Sequence, residues 1–153
     1  LRERMKTVLT AGGEAAHNRY MAEHLIDFGK VGYIQIDCGR IGGLGPAKQV
    51  ADYAVQRGVT YINHTFTSNL ALSASLQPFA GLQDHRICEF PTGLQRLAAE
   101  LTLNHLAPDA NGEINVPDAP GLGIDVDPKA LERYKVDVEI RVGGRTVFST
   151  PSP

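Results

Sequence analysis

Hydrophobic and polar positions follow two alternating periods along the first ninety residues of this chain. Short apolar runs, typical of β-strands, are each followed by a stretch whose apolar residues recur every three or four positions, as on one face of a helix. The four apolar runs end at ionisable residues, which are Glu14, Asp37, His64 and Glu89. Successive ends lie 23, 27 and 25 residues apart. The pattern predicts repeated βα units, which build a parallel sheet with right-handed crossovers.

The same pattern places the individual strands and helices. The predicted strands cover residues 6–14, 31–37, 59–64 and 85–89. The helices predicted between them cover residues 18–29, 45–58 and 68–81. Pro78 should end or kink the third helix. Four such units are half of a (β/α)8 barrel, so the sequence predicts an α/β fold that is either half of a TIM-type barrel or an open doubly wound sheet.

The pattern changes after the fourth predicted strand. One more helix is predicted at residues 93–101, and a stretch rich in Pro, Gly, Asp and Asn follows that must be largely irregular. A short helix is predicted at residues 128–136, and the glycine pair at 143–144 predicts the turn of a terminal hairpin. We therefore divide the chain into βα units at residues 1–106 and an irregular return segment with a short helix and hairpin tail at residues 107–153.

The composition is that of an ordinary globular domain. The chain has 153 residues, of which 42% are hydrophobic and 21% are charged, and its formal net charge is −2. This charge gives no reason to expect nucleic acid or an anionic membrane as a partner. No apolar stretch approaches the roughly 18 residues of a membrane span, so we expect a cytoplasmic protein. Cys38 and Cys88 form no CxxC pair, and we expect both to be reduced core residues.

The four strand-end residues are the candidate functional groups, because the carboxyl ends of parallel strands line the functional face of such sheets. Three carboxylates and one imidazole suit metal binding and proton transfer. Glu14 offers the oxygen ligand that Mg²⁺ prefers, and His64 is the group best suited to act as a base near neutral pH. Asp37 is placed to orient the imidazole. Glu89 either donates a hydrogen bond to developing negative charge or clamps the substrate.

The remaining polar motifs say less about function. The GRIGG segment at residues 39–43 lacks the spacing of a P-loop or a dinucleotide fingerprint, so we interpret it as a tight βα turn, with a phosphate site as the alternative. His17, His24, His85 and His105 have no partners at metal-ligand spacing and are interpreted as structural or solvent-facing. The competing hypothesis for the whole chain is a non-enzymatic or phosphate-binding α/β domain whose strand-end residues are only structural.

Several stretches of the sequence together carry a family resemblance. The segments IQIDCGRIGGLGPAKQVADYA, INHTFTSNLALSASL and ICEFP resemble the C-terminal barrel segment of the enolase superfamily, in the mandelate racemase and acid-sugar dehydratase branch. The tail DANGEINVPDAPGLGIDVDPKALERY is similar to the usual end of such proteins. The resemblance covers roughly residues 5–136 and implies the C-terminal half of a (β/α)8 barrel, with about four βα units.

The resemblance also implies a role for each strand-end residue. Glu14 matches one of three carboxylate ligands of a Mg²⁺ ion, whose other two ligands lie outside this chain. Asp37 and His64 match a dyad in which the imidazole moves the proton α to a carboxylate, and Glu89 matches a residue that contacts the substrate carboxylate. The implied substrate is a small sugar acid or hydroxy acid, and the implied reaction is dehydration or racemisation.

The family's capping domain and first barrel strands have no counterpart in this chain. We therefore expect a C-terminal fragment that is inactive by itself. A half barrel would expose strand edges and apolar surface, so we also expect self-association or binding to the missing N-terminal half.

Overall fold

The fold is a small parallel α/β sheet followed by a return segment and a separate hairpin. The computed structural model describes residues 7–151, so Lys6 of the first predicted strand and residues 152–153 lie outside it. Among the helices in this range, none is both long enough and apolar enough to cross a membrane. The elements in chain order are β1 (Ala11–Gly12), α1 (Arg19–Asp27), β2 (Tyr33–Ile36), α2 (Cys38–Ile41), α3 (Leu44–Gln56), β3 (Thr60–Asn63), α4 (Asn69–Leu76), α5 (Arg96–Glu100), α6 (Pro128–Tyr134), β4 (Glu139–Val142) and β5 (Arg145–Ser149).

The strands β1, β2 and β3 form one sheet in that order, and both pairings are parallel. The longer pairing joins β2 to β3 and runs from Tyr33 opposite Thr60 to Ile36 opposite Asn63. Helices α1 and α3 connect the strands and pack against each other and against the sheet. The predicted α/β architecture of successive βα units is confirmed.

The core lies between this sheet and its helices. Alternate residues of β2 and β3 point into it, and Ile34, Ile36 and Tyr61 are fully buried. Helix α3 presents a stripe of apolar residues that its 3.6-residue period places on one face. The buried members of this stripe are Ala47, Val50, Ala51 and Ala54. Removal of such apolar surface from water is the main stabilising term of the fold, at about 25 cal/mol per Å².

The predicted fourth strand, residues 85–89, forms no β-ladder with β3. The segment runs beside β3 and is bound to it through side chains instead. Tyr61 N donates a hydrogen bond to the His85 imidazole Nδ1 at 2.9 Å, and the Asn63 side chain bonds the backbone of Glu89. Because these side-chain groups occupy the edge of β3, the two backbones do not pair directly.

The other predicted elements form with shifted bounds. β1 is only two residues long because Gly13 has a φ of +121°, which lies outside the β region. The GRIGG segment does not form a single tight turn, since it contributes to helix α2 and then turns at Gly42 and Gly43, whose φ values are +103° and +115°. Helix α4 ends near Pro78 as predicted, and the chain continues as a 3₁₀ helix at Gln77–Phe79.

The irregular chain after α5 is bound to α4 through polar side chains. Ser73 Oγ donates to Leu122 O at 2.5 Å, and Leu106 N donates to Asn69 Oδ1 at 3.3 Å. Both Ser73 and Asn69 are buried, so these bonds satisfy polar atoms that water does not reach. The irregular backbone after α5 is thereby fixed over the end of the last βα unit.

The predicted terminal hairpin forms between β4 and β5. Its two turn residues, Gly143 and Gly144, have φ values of +56° and +78°, as a two-residue turn of type I′ requires. The residues of both strands are exposed, and one face is polar, with Arg141 Nε 3.0 Å from Glu139 Oε1. The hairpin is therefore held by its own ladder and not by the core of the α/β sheet.

Candidate active site

The parallel register of β2 and β3 brings two strand-end residues side by side. Ile36 lies opposite Asn63, so the residues that follow them, Asp37 and His64, leave neighbouring strands at the same edge of the sheet. The His64 amide donates to Ile36 O at 2.8 Å and holds the two strand ends together. The side chains meet, with His64 Nδ1 2.9 Å from Asp37 Oδ2.

The two carboxylate oxygens of Asp37 have different partners. Asp37 is the N-cap of α2, and its Oδ1 accepts a hydrogen bond from Arg40 N at 3.0 Å. Its Oδ2 faces His64 Nδ1. Rotation of the side chain would break one of these contacts, so the cap fixes the carboxylate that the imidazole meets. Asp37 therefore holds the ring in one orientation, with the Nδ1 proton toward the carboxylate.

The opposite ring nitrogen of His64 faces two further carboxylates. Nε2 lies 3.0 Å from Glu14 Oε2 and 4.0 Å from Glu89 Oε1. The His64 side chain is 9% exposed, whereas the Glu14 side chain is 56% exposed. Since Asp37 holds the Nδ1 side, Nε2 is the position at which this ring can take up or release a proton.

Glu14 reaches the ring because the backbone before it passes very close to β2. A Cβ at Gly13 would lie 2.8 Å from both Gln35 O and Ile34 Cδ1. No side chain fits in this space, and the positive φ of Gly13 also favours glycine. The Gly-Gly-Glu sequence thereby directs the Glu14 side chain toward His64.

Glu89 is held at its carboxylate and at its backbone. Oε1 accepts a hydrogen bond from Thr65 N at 3.1 Å, and Oε2 accepts one from Gln35 Nε2. Gln35 lies on β2 two residues before Asp37, so the alternation of the strand places both on the same face. The Asn63 side chain bonds the Glu89 N–H and C=O. The structure thus brings all four predicted residues together.

An aromatic ring and a guanidinium lie beside His64. The rings of Phe66 and His64 meet edge-on, with their centroids 5.4 Å apart. Arg40 Cζ lies 5.6 Å from the Phe66 ring centre, and its Nη1 donates to Glu14 O at 3.3 Å. A cavity of about 370 Å³ opens next to these side chains. The cavity reaches the imidazole, since Asp37 and His64 are among the residues that line it.

The three predicted carboxylates, Glu14, Asp37 and Glu89, surround the His64 imidazole. Within residues 7–151, no group of three or more His, Cys, Asp or Glu side chains is arranged to hold a metal ion. Glu14 is the most exposed carboxylate near the ring and has the oxygen donor that Mg²⁺ prefers. The described residues therefore fit this ion in the kind of donor but not in the number of ligands.

The two cysteines lie in different surroundings, and neither forms a disulfide. Cys38 is buried at the start of α2, and desolvation, followed by the charge of Asp37, raises the pKa of its thiol to about 11. Burial also raises the pKa of the Cys88 thiol, which is only half-buried. The predicted core position is confirmed for Cys38, whereas Cys88 lies at the border of the core because residues 85–89 form no strand.

The remaining histidines lie outside the cluster around His64. His17 and His24 are exposed. The imidazole of His85 accepts the Tyr61 amide, and that of His105 contacts its own loop through Nε2. These positions agree with the structural or solvent-facing interpretation.

Three contributors to the site were not singled out in the sequence. Gln35 could have been found, because it shares the strand phase of Asp37. Asn63 could have been found for a different reason. It is a polar residue at a position of β3 whose side chain faces the helices, and a buried amide there needs hydrogen-bond partners. Thr65 contributes its backbone N–H, for which the side chain gives no signal.

The chain is similar to known proteins over most of its length. The family described as enolase C-terminal domain-like matches residues 1–130. The chain is 28% identical over 134 residues to a D-galactarolactone cycloisomerase of Agrobacterium fabrum, and 26% identical over 137 residues to a D-xylonate dehydratase of Haloferax volcanii. These matches cover 82% and 87% of this chain, but 35% and 32% of the relatives.

The fold is similar to that of a solved protein from Rhodobacter sphaeroides, described as a predicted mandelate racemase. The TM-score is 0.88 at 63% sequence identity, over 95% of this chain and 37% of that chain. This likeness and the family match confirm the predicted partial (β/α)8 barrel. The chain spans about a third of the length of these relatives.

Proposed function

Because the chain belongs to the enolase C-terminal domain-like family, we propose that it supplies half of a catalytic barrel that removes the proton α to a carboxylate. The proposed substrate is a small sugar acid or hydroxy acid, and the whole reaction is a dehydration, cycloisomerisation or racemisation. The observation that carries the proposal is the His64 ring, whose two nitrogens lie 2.9 Å from Asp37 and 3.0 Å from Glu14.

His64 is the proposed base and acid at the α-carbon. Its Nε2 takes the proton, because Nδ1 is committed to Asp37. The Asp37 carboxylate keeps the neutral ring in the tautomer that leaves Nε2 unprotonated, and it stabilises the imidazolium that forms. The low exposure of His64 keeps water from competing for this proton.

Glu89 is the proposed contact to the acid group of the substrate. Its Oε1 lies 4.0 Å from His64 Nε2, so a bound acid that reaches one of these groups also reaches the other. The bonds from Thr65 N and Gln35 fix the direction of the carboxylate. Glu89 thereby orients the α-carbon toward the imidazole.

Glu14 is the proposed Mg²⁺ ligand that this chain supplies. Its exposed carboxylate faces the same space as His64 and Glu89, which supports this role. A divalent ion there would stabilise the negative charge that develops as the α-proton leaves. The other ligands have to come from outside residues 7–151, so we propose that the chain alone is inactive.

The proposed partner of this chain is the complementary half of the barrel, or a second copy that covers the same edge. Val8 and Leu9, which precede β1, are each 50% exposed beside a strand that pairs on one side only. We also propose that the boundary between barrel units and return segment lies at residue 106. The parallel sheet and α4 precede this boundary, which supports the division.

A chimera tests the proposal. This chain would replace the corresponding third of the 63% identical Rhodobacter sphaeroides protein. The chimera would be incubated in D₂O with Mg²⁺ and a panel of sugar acids, and the loss of the α-proton signal would be followed by NMR. We expect exchange with at least one acid, and none after chelation. A folded chimera that exchanges no α-proton of any acid on the panel would contradict the proposal.

A further inference from the structure

The contact between β3 and residues 85–89 depends on a side-chain amide in place of a β-ladder. Asn63 Oδ1 accepts a hydrogen bond from Glu89 N at 2.8 Å, and Asn63 Nδ2 donates to Glu89 O at 3.0 Å. The carboxamide thus makes with one residue the two bonds that a paired strand would make through its backbone.

We propose that Asn63 is a positioning residue, which sets the place of Glu89 beside His64. The inference rests on the proposed function only in taking Glu89 as a functional group. Asn63 touches the Glu89 backbone and not the site itself, so it acts through Glu89. Neither the family match nor the relatives' names assign it a role.

The Asn63 amide is itself fully satisfied and fully buried. Its second N–H donates to Ser75 Oγ at 2.9 Å, and Ser75 Oγ donates in turn to Leu72 O at 2.7 Å. Asn63 is 0% exposed and Ser75 is 1% exposed. Helix α4 therefore anchors the carboxamide, and the carboxamide anchors Glu89.

Few other side chains could replace Asn63 in this position. Aspartate keeps an acceptor for the Glu89 amide but has no N–H for the Glu89 carbonyl. Alanine and leucine leave both backbone groups of Glu89 without these partners. A planar group with an acceptor and two N–H donors meets all three bonds.

The two hydrogen bonds from Asn63 to the Glu89 backbone have a direct consequence at the Glu89 carboxylate. With the backbone fixed by Asn63, the side chain reaches Thr65 N and Gln35, and Oε1 comes to 4.0 Å from His64 Nε2. The other hydrogen bond that ties this segment to β3 is the one from Tyr61 N to His85, at its far end. Loss of the Asn63 bonds therefore leaves Glu89 held only at its carboxylate, by Thr65 N and Gln35, and its backbone is free to move.

The test is NMR of the isotope-labelled 153-residue chain. In the unmodified chain we expect a coupling across the hydrogen bond from Glu89 N to the Asn63 side-chain carbonyl, and a nuclear Overhauser effect between the Glu89 and His64 side chains. In Asn63→Ala, the Glu89 amide should exchange with solvent about tenfold faster or more, and the Overhauser effect should weaken.

Ser75→Ala is the matched control, because it removes the other partner of the same amide. It should leave the Glu89–His64 effect in place and change Glu89 exchange by less than about twofold. Asn63→Asp covers the case in which the alanine variant does not fold. Asn63→Asp should keep the Glu89 amide protected from exchange with solvent. The carbonyl carbon signal of Glu89 should shift, because the Glu89 carbonyl loses its N–H donor.

A purely structural role for Asn63 predicts a different result. The Glu89–His64 effect would then persist at full intensity in folded Asn63→Ala, and the carbonyl carbon signal of Glu89 would not shift in Asn63→Asp. Absence of the coupling in the unmodified chain would likewise overturn the inference. The NMR signals report the position of Glu89 and not catalytic turnover. They can therefore be absent while the proposed function is correct. Conversely, the chimera can lack activity while the NMR signals are present.

Discussion

His64 Nδ1 lies 2.9 Å from Asp37 Oδ2 because the residues just before them, Asn63 and Ile36, are paired in a parallel ladder. The contact is therefore a product of strand register, and a shift by one residue would turn either side chain to the other face of the sheet. The same carboxylate caps α2. Asp37 therefore contributes both to the fold, as the cap of α2, and to the site, as the partner of His64. For this reason it is the most informative position for a substitution.

Asp37→Asn should strongly slow proton transfer with little effect on stability. Asparagine caps a helix about as well as aspartate, so the free energy of unfolding should fall by less than about 1 kcal/mol. With Oδ1 kept by the Arg40 amide, the new NH₂ faces His64 and forces the ring proton to Nε2. We expect α-proton exchange by the chimera to fall by about 10²-fold or more.

The control for this variant is Asp127→Asn. Asp127 caps α6 through a hydrogen bond from Lys129 N at 2.9 Å and makes no contact with His64. It should leave the exchange rate unchanged. The ¹⁵N shifts of His64 give an independent readout, since they should report a proton on Nε2 only in Asp37→Asn. An unchanged exchange rate in Asp37→Asn would refute the role of this carboxylate.

Two valines of α3 test which face of the helix packs in the core. Val50 is 0% exposed and packs in the core, whereas Val55 on the same helix is 47% exposed. Val50→Ala should lower the free energy of unfolding by about 2 kcal/mol, and Val55→Ala by less than about 0.5 kcal/mol. Urea denaturation of both variants measures this difference, and equal losses would mean that the helix packs through another face.

The buried thiol of Cys38 predicts a loss of stability at alkaline pH. Burial, with a smaller effect of the Asp37 charge, raises the pKa of this thiol from 9.0 to about 11. The folded state therefore keeps a proton that the unfolded state releases, so this contribution is complete below pH 9 and is lost as the pH rises toward 11. Denaturation at pH 8 and pH 11 should show a smaller pH-dependent loss in Cys38→Ala than in the unmodified chain.

Sheet-edge association predicts that the isolated chain is not a monomer. Leu9, half exposed just before β1, should lie in the contact, and Leu9→Lys should shift the sedimentation distribution toward the monomer. Phe28→Lys is the control, because Phe28 is 78% exposed at the end of α1, away from the strand edge. A well-folded monomeric unmodified chain would contradict this prediction.

The periodic part of the sequence predicted the structure best. The alternation in β2 and β3 and the stripe of α3 are local signals that the packing reinforces, and the chain positions of Asp37 and His64 followed from them. The glycine pair of the hairpin likewise requires positive φ values, so its turn could be placed.

The sequence-based predictions that were wrong concern residues whose structure depends on long-range contacts. Residues 85–89 have a strand-like composition, yet the edge of β3 binds them through Asn63 and His85, which no local pattern reveals. β1 is short because Gly13 must pass within reach of Gln35 O, a contact between segments distant in sequence. Thr65 contributes its backbone N–H to the site only because of the position that Glu89 takes in three dimensions.

The most direct test of the central claim is the rate at which His64→Asn exchanges the α-proton of an acid that the unmodified chimera accepts. The account predicts a fall to the background rate, with normal exchange in His17→Asn, which alters an exposed histidine outside the cluster. Exchange by His64→Asn at an undiminished rate would contradict the assignment of His64 as the group that moves the proton.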